Sequence, residues 1–141
     1  MPLSSDADIR DLLQGVRTIA LVGASDNPLR ASNQVMEMLI THGYRVIPVN
    51  PRLVGSEIHG QQVHADLSQI EGPIDLVDIF RSADGVGEIV EEAIAVGARA
   101  IWMQLGVIND AAAIRAEAAG LKVVMDRCPK IEIRRLGIAP R

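Results

Sequence analysis

Apolar positions along this chain follow two alternating patterns. Short runs that are almost wholly apolar, such as TIALV at 18–22 and AIWM at 100–103, predict strands buried on both faces. Segments between them place apolar residues three and four positions apart, which predicts amphipathic helices, and glycine follows each helix. This repeated strand, helix and glycine order predicts an α/β fold with parallel right-handed crossovers.

These patterns predict five main strands, at residues 18–22, 44–49, 74–80, 100–103 and 122–125. We expect a Rossmann-like, doubly wound parallel sheet of about five strands, in the order 3-2-1-4-5, with helices on both faces. The pattern of apolar and polar positions is weak over residues 53–72, where it predicts only a short extended segment at 57–59 and a short helix from Ser68. The tail from Asp126 onward receives no assignment.

The predicted helices begin at polar residues that can cap them. The first starts at Ser4 or Ser5, the third at Ser82 or Asp84, and the fourth at Asn109. The remaining helix, the second in the chain, follows the first loop.

Length, charge and cysteine content narrow the class of protein. A chain of 141 residues forms one domain, 1–141, that buries about 70% of its unfolded surface. The net charge is −4 with both signs interspersed, which argues against nucleic acid or an anionic membrane as partner. No apolar run approaches the ~20 residues of a membrane span, and Cys128 is the single cysteine. We therefore expect a cytoplasmic protein.

The loop after the first strand carries the clearest binding signal. It reads GASDNPLRAS, and its candidate ligand-binding residues are Gly23, Ala24, Ser25, Pro28, Arg30 and Ser32. Gly23 allows a sharp turn, Ser32 is expected to cap the helix that begins near Asn33, and Arg30 lies beside that helix start. Backbone N–H groups, a helix N-terminus and a guanidinium together favour a phosphate. Only the first glycine of the GxGxxG dinucleotide pattern is present.

The loop after the second strand indicates which nucleotide is bound. Its candidate residues are Val49, Asn50, Pro51 and Arg52. An enzyme that uses NAD would usually present an acidic residue here to the ribose hydroxyls. A cation suits a phosphorylated ribose instead, and both NADP and coenzyme A (CoA) contain one.

Two further loops should lie at the same sheet edge. Phe80 and Arg81 end the third strand and could contact an adenine or a pantetheine arm. Gln104, Leu105 and Gly106 follow the fourth strand and could offer backbone groups to a ligand. We therefore expect these residues to line the rest of the crevice.

No catalytic set is evident in the sequence. The patterns GxSxG, GxxxxGK[ST], HExxH and CxxC do not occur, and the three histidines have no apparent metal partner. Cys128 follows the last strand, and a single cysteine at such a place is usually a small buried apolar residue. The sequence thus predicts a binding edge with no catalytic residue and no metal ligand.

Several stretches together resemble a known family. TIALVGASDNPLRAS, GYRVIPVNP, DLVDIFR, IWMQLGVIND and GLKVVMDRCPKIE are similar, in order and spacing, to small stand-alone CoA-binding proteins related to the N-terminal domain of the succinyl-CoA synthetase alpha subunit. The resemblance implies that residues 23–32 hold the CoA phosphates and that residues 50–52 lie by the 3'-phosphorylated ribose and adenine. It departs at Ala31 and Asn33, where family members often have a proline and an aromatic residue.

Three hypotheses follow for the function. The first is binding of CoA or an acyl-CoA without catalysis, as a carrier, a sensor or the partner of another protein. The second is an NADP-dependent reductase-like protein. The third is a CoA-site subunit of an acyl-CoA synthetase acting in trans. In the synthetase the phosphorylated histidine lies in a further domain, so a complete ligase reaction is not expected of this chain alone.

Overall fold

The computed structural model describes residues 1–141 and contains a five-stranded parallel sheet with helices on both faces, which confirms the predicted fold class. The elements are α1 (Asp6–Gly15), β1 (Thr18–Val22), α2 (Ala31–Thr41), β2 (Arg45–Val49), β3 (Glu57–Ile58), β4 (Gln61–Gln62), a 3-10 turn (Leu67–Gln69), β5 (Leu76–Ile79), a second 3-10 turn (Ala83–Gly85), α3 (Val86–Ala95), β6 (Ala100–Met103), α4 (Asp110–Ala118), β7 (Lys122–Val124) and α5 (Pro129–Leu136). Strands β3 and β4 form a separate antiparallel hairpin.

The order of the main strands differs from the predicted 3-2-1-4-5. The sheet runs β2-β1-β5-β6-β7, so the third main strand lies between the first and the fourth. Pro48 explains the difference, because a proline cannot donate to a ladder and is confined to edge strands. Pro48 pairs with Leu21 of β1, and on its outer side its carbonyl accepts a hydrogen bond from His64 N–H (3.0 Å). An edge position for β2 follows, and the order 3-2-1-4-5 would have placed Pro48 inside the sheet.

Alternate residues of the strands serve two apolar layers. Ile19 and Leu21 of β1 face a layer closed by α1, α2 and α5, while Ala20 and Val22 face a layer closed by α3 and α4. Burial on both faces explains why the strands are continuous apolar runs rather than alternating ones. None of the helices combines the length and apolar composition needed to cross a bilayer.

Helix boundaries agree with the capping residues in two cases. Ser5 Oγ accepts from Asp8 N–H (3.2 Å) at α1, and Asn109 Oδ1 accepts from Ala112 N–H (3.0 Å) at α4. The third helix begins differently, since a 3-10 turn over Ala83–Gly85 precedes α3.

Helix α5 is the element that the sequence patterns did not predict. Pro129 occupies its first turn, and Gly137 follows its end in the left-handed conformation (φ 64°). Both are ordinary helix boundary signals. The charged residues between them obscured the apolar face formed by Ile133 and Leu136.

Asp78 is a fully buried carboxyl in the centre of the sheet. It lies on β5 with Leu21 and Trp102 as its neighbours in register, and neither carboxyl oxygen has a hydrogen-bond partner. Burial raises the pKa of Asp78 well above its ordinary value, because an isolated carboxylate is poorly solvated there. Asp78 is therefore protonated in the folded protein at pH values where the unfolded chain has already lost the proton.

The Asp78→Asn variant should separate this effect from packing. Because the folded-state pKa is raised, the stability of the wild type is highest below the unfolded pKa of about 3.9 and falls progressively as pH rises from there towards the folded-state pKa. We expect the difference in unfolding free energy between variant and wild type to grow in favour of the variant by about 1.4 kcal/mol per pH unit above pH 4, until the folded carboxyl ionises. Urea unfolding of both proteins at pH 4, 5 and 7 measures this, and parallel pH profiles would contradict it.

Candidate functional site

The carboxyl edge of the sheet carries two adjoining cavities. The first, here called the loop cavity, has a volume of about 510 Å³ and lies beside the loop after β1. The second, the helix cavity, has about 640 Å³ and lies between the starts of α2 and α5. Ala31 and Phe80 line both, so the two cavities adjoin at these residues, and together they are here called the groove.

The predicted site residues divide between these cavities. The loop cavity is lined by Gly23, Ala24, Ser25, Arg30, Ser32, Asn50, Arg52 and Phe80 among the predicted residues, and by Asp26, Ala31 and Leu53 in addition. The helix cavity is lined by the predicted Phe80, Arg81, Gln104 and Leu105, and by Ala31, Gln34, Val35, Ser82, Val107, Cys128, Lys130, Ile131 and Arg134 in addition. Pro28, Val49, Pro51 and Gly106 line neither cavity.

Gly23 makes the sharp turn at the end of β1. Its φ is +86°, and a Cβ added there would lie 2.2 Å from the carbonyl oxygen of Phe80. The N–H groups of Gly23 and Ala24 both donate to the carbonyl of Val49, at 3.0 and 3.3 Å. These two donors are therefore engaged within the protein, although both residues line the loop cavity.

Two buried or half-buried amides hold the rest of the loop. Asn33 Nδ2 donates to the carbonyl of Ser25 (2.9 Å), and Asn50 Nδ2 donates to the carbonyl of Ala24 (2.8 Å). Asn33 Oδ1 in turn lies 2.8 Å from His59 Nε2. Asn33 thus fixes the loop by hydrogen bonding, where an aromatic residue often stands in the resembling family.

Helix α2 begins two residues earlier than predicted. Arg30 is its N-cap and makes no side-chain capping bond, while Ser32 is the second helical residue and is 6% exposed. Ser32 is therefore not the cap, because the backbone is already helical at Ala31. The N–H groups of Ala31 and Ser32 have no acceptor in the protein, so the first turn of α2 offers open donors beside Arg30, and the N–H groups of Ser25 and Asp26 are also open.

Five cations line the groove without ion-pair partners. Arg30 and Arg52 border the loop cavity, and Arg81, Lys130 and Arg134 border the helix cavity. All ion pairs of the protein involve other basic groups, and Asp26 is the only acidic residue lining either cavity. In a chain of net charge −4 this concentration of positive charge favours an anionic ligand.

Buried polar contacts fix the start of α5 at the groove. Trp102 Nε1 donates to the carbonyl of Arg127 (2.7 Å), and Arg127 pairs with Glu132 (2.7 Å). Arg135 also pairs with Glu132 (3.0 Å). Burial acts to raise the pKa of Glu132, but hydrogen bonds from Arg135 and Arg127 outweigh it and hold that pKa below its ordinary value. Lys130 and Arg134 could not be assigned to the site from the sequence, because α5 itself was not predicted.

Three further polar groups at this edge have different environments. Gly106 N–H donates to Asp126 Oδ1 (2.7 Å) and is therefore engaged within the protein. Gln104 is 7% exposed, lines the helix cavity, and its Oε1 has no hydrogen-bond partner. Cys128 is buried and lines the same cavity. No group of three or more His, Cys, Asp or Glu side chains is arranged to hold a metal ion.

This arrangement defines a class of nucleotide-binding domain. A Rossmann-like parallel sheet with a glycine turn and a cationic groove at its carboxyl edge is suited to phosphorylated ligands. The family model of the CoA binding domain matches residues 17–134. The chain therefore belongs to this CoA-binding domain family.

Relatives agree with this family and fold. An uncharacterized protein of Bacillus subtilis (strain 168), YneT, is 37% identical over 127 residues, which covers 90% of this chain and 93% of YneT. The solved structure of a hypothetical protein from Pyrococcus horikoshii OT3 is 40% identical with a TM-score of 0.90, and covers 96% of each chain. The apo form of dinucleotide-forming acetyl-coenzyme A synthetase 1 from Ca. Korarchaeum cryptofilum shares the fold, with a TM-score of 0.71 and 21% identity over 82% of this chain and 27% of the synthetase chain.

The Gly23→Ala variant should report how tightly the first turn packs. A methyl group at Gly23 would collide with the Phe80 backbone and would require a strained positive φ. Gly97→Ala is the matched control, because Gly97 also has a positive φ (+73°) but nothing within 4 Å of the added Cβ. We expect a loss of about 1–2 kcal/mol for the control from strain alone and a loss larger by at least ~2 kcal/mol at Gly23. Equal losses in urea unfolding would show that the loop moves away freely.

Proposed function

We propose that this protein binds coenzyme A or an acyl-CoA in the groove formed by the two cavities, and that it acts in the cytoplasm as a carrier, a sensor or the partner of another protein without catalysing a reaction itself. The observation that carries the proposal is the groove of two adjoining cavities lined by five unpaired cations, found in a chain of the CoA-binding domain family. CoA combines three phosphate groups with a long, uncharged arm. The helix cavity has the larger apolar share of lining residues, seven of 13 against four of 11 in the loop cavity, and it also carries three of the five cations.

The loop cavity suits the 3'-phospho-ADP part of the ligand. Arg30 and the first turn of α2, with the free N–H groups of Ala31 and Ser32, line it, and so does Arg52, which follows β2. A guanidinium and a helix N-terminus both favour phosphate oxygens. We assign Arg30 and the helix start to the pyrophosphate and Arg52 to the 3'-phosphate.

The helix cavity suits the pantetheine arm. Phe80, Val107 and Ile131 supply apolar walls. The alkyl segments of pantetheine match these walls. An NADP-dependent reductase would need to place a nicotinamide and a second substrate in this same space, and the missing second and third glycines of GxGxxG also weigh against it.

A second candidate function rests on the shared fold of the acetyl-CoA synthetase. This chain matches about a quarter of that chain, which is consistent with a CoA-site module that works beside other domains. Acting in trans, the protein would form a stable complex with an ATP-binding subunit that carries a phosphorylated histidine. Affinity purification of the tagged protein from its own cells, followed by mass spectrometry, tests this, and the absence of any such subunit would contradict it.

Arg30→Ala should weaken CoA binding with little effect on stability. Its side chain makes no capping bond or ion pair, so its removal leaves the fold intact. Loss of a charge-assisted hydrogen bond to phosphate should cost about 1.5–3 kcal/mol of binding free energy. Isothermal titration calorimetry with CoA measures the loss, and Arg99→Ala, an exposed arginine at the opposite edge of the sheet, is the matched control. Equal affinities of the two variants would contradict the assignment.

Arg52 should distinguish CoA from dephospho-CoA. If its guanidinium binds the 3'-phosphate, Arg52→Ala should lose about 1.5–3 kcal/mol with CoA and almost nothing with dephospho-CoA. The wild type should prefer CoA over dephospho-CoA by a similar amount. A full titration of both ligands against both proteins provides the double cycle. Additive effects, with no coupling between the side chain and the phosphate, would place the 3'-phosphate elsewhere.

A further inference from the structure

Two consecutive backbone donors of the first loop have no acceptor within the protein. They are the N–H groups of Ser25 and Asp26, and both residues line the loop cavity. Successive backbone N–H groups that point to the same side form a concave site for an anion. The direction of each N–H group therefore decides whether this part of the loop binds a phosphate oxygen.

Side-chain amides fix the two peptide groups to which these donors belong. Asn50 Nδ2 donates to the carbonyl of Ala24 (2.8 Å), and Asn33 Nδ2 donates to the carbonyl of Ser25 (2.9 Å). All peptide bonds of the chain are trans, and in a trans peptide the C=O and N–H bonds point in opposite directions. Asn50 thus sets the direction of the Ser25 N–H group. In the same way, Asn33 sets the direction of the Asp26 N–H group.

Asn33 is itself held by a histidine from the hairpin of β3 and β4. His59 Nε2 lies 2.8 Å from Asn33 Oδ1 and 3.2 Å from the Asn33 carbonyl oxygen. Both oxygens are acceptors, so Nε2 carries the hydrogen in this contact. The bond fixes the Asn33 amide with Oδ1 towards His59 and with Nδ2 towards the carbonyl of Ser25.

The backbone of His59 is strained where this contact is made. His59 and Gly60 form the two-residue turn between β3 and β4, with φ of +49° and +78°. Asparagine, aspartate and glycine are preferred in such turns, because both turn residues need a positive φ. Backbone strain of this kind persists where surrounding contacts hold it, and it clusters at functional sites. At this position the imidazole reaches Asn33 on α2.

We propose that His59 is a positioning residue for the bound ligand and that it acts through Asn33. It holds the peptide between Ser25 and Asp26 so that the N–H group of this peptide binds a phosphate oxygen of CoA. This inference rests on the proposed CoA site and identifies the β3–β4 hairpin as the segment that shapes it. Arg30 lines the same cavity and supplies positive charge, whereas the backbone N–H groups supply direction.

Two substitutions at His59 separate the hydrogen bond from the strained turn. His59→Gln keeps a side-chain N–H donor of similar reach, His59→Leu has none, and both variants keep the positive φ. We expect calorimetry with CoA to give a Kd about fivefold higher for His59→Leu and within about twofold of the wild-type value for His59→Gln. His64→Leu is the matched control and should bind like the wild type, because the His64 ring contacts the carbonyl of Gln62 and lies outside the groove. Equal Kd values for the two His59 variants would overturn the proposal.

Amide signals in nuclear magnetic resonance spectra give a readout that a merely structural role of His59 would not move. At saturating CoA, the signals of Ser25 and Asp26 should both shift in the wild type and in His59→Gln. In His59→Leu the shift of Asp26 should be smaller, while Ser25 keeps its shift because Asn50 holds its peptide. An equal shift of Asp26 in all three proteins, or an equal loss at Ser25 and Asp26, would contradict the role assigned to His59.

The wild type distinguishes this inference from the function on which it rests. If the wild-type protein does not bind CoA, the proposed function and the role of His59 are both overturned. If the wild type binds CoA and His59→Leu binds it equally well, only the role of His59 is overturned.

Discussion

The contact between Gly23 and the backbone of Phe80 is the constraint on which the groove depends. It brings the ends of two adjacent parallel strands, β1 and β5, within a distance that excludes even a methyl group. The turn at Gly23 then directs the chain across the sheet edge and back into α2. The same close approach places Phe80 where it borders both cavities. A single glycine thus determines how the loop cavity and the helix cavity meet.

The hydrogen-bond distribution in the first loop separates structural from ligand-directed donors. Gly23 and Ala24 use their N–H groups on Val49, and Asn33 and Asn50 occupy the loop carbonyls. The N–H groups of Ser25 and Asp26, and those of Ala31 and Ser32 in the first turn of α2, remain free. The loop is therefore ordered in the unliganded protein. Binding of a ligand then does not include the entropic cost of ordering this loop.

The sequence predicted the fold class and most strands because each depends on local pattern. Burial on both faces makes β1 and β6 recognisable, and Asn109 marks a helix start by side-chain chemistry alone. Strand order depends on pairing between segments that are distant in sequence. Pro48 nevertheless indicates an edge position for β2, because proline is confined to edge strands. Helix α5 was missed because its buried carboxylate, Glu132, is polar in sequence but paired in the fold. Two cations of the groove were not predicted for the same reason, since Lys130 and Arg134 lie on α5 and line the groove only because of the tertiary packing of that helix.

Pro48 at the sheet margin also limits how copies of this chain can associate. On that side Pro48 has no amide hydrogen to donate. The bridge between Val49 and His64 already engages the carbonyl of Pro48 and the N–H group of Asn50. At the opposite margin Leu3 N–H donates to the carbonyl of Val123 (2.7 Å), so the N-terminal segment covers β7. Exposed edges are the usual templates for strand-to-strand joining and aggregation. With both margins partly occupied, assembly by extending the sheet is disfavoured.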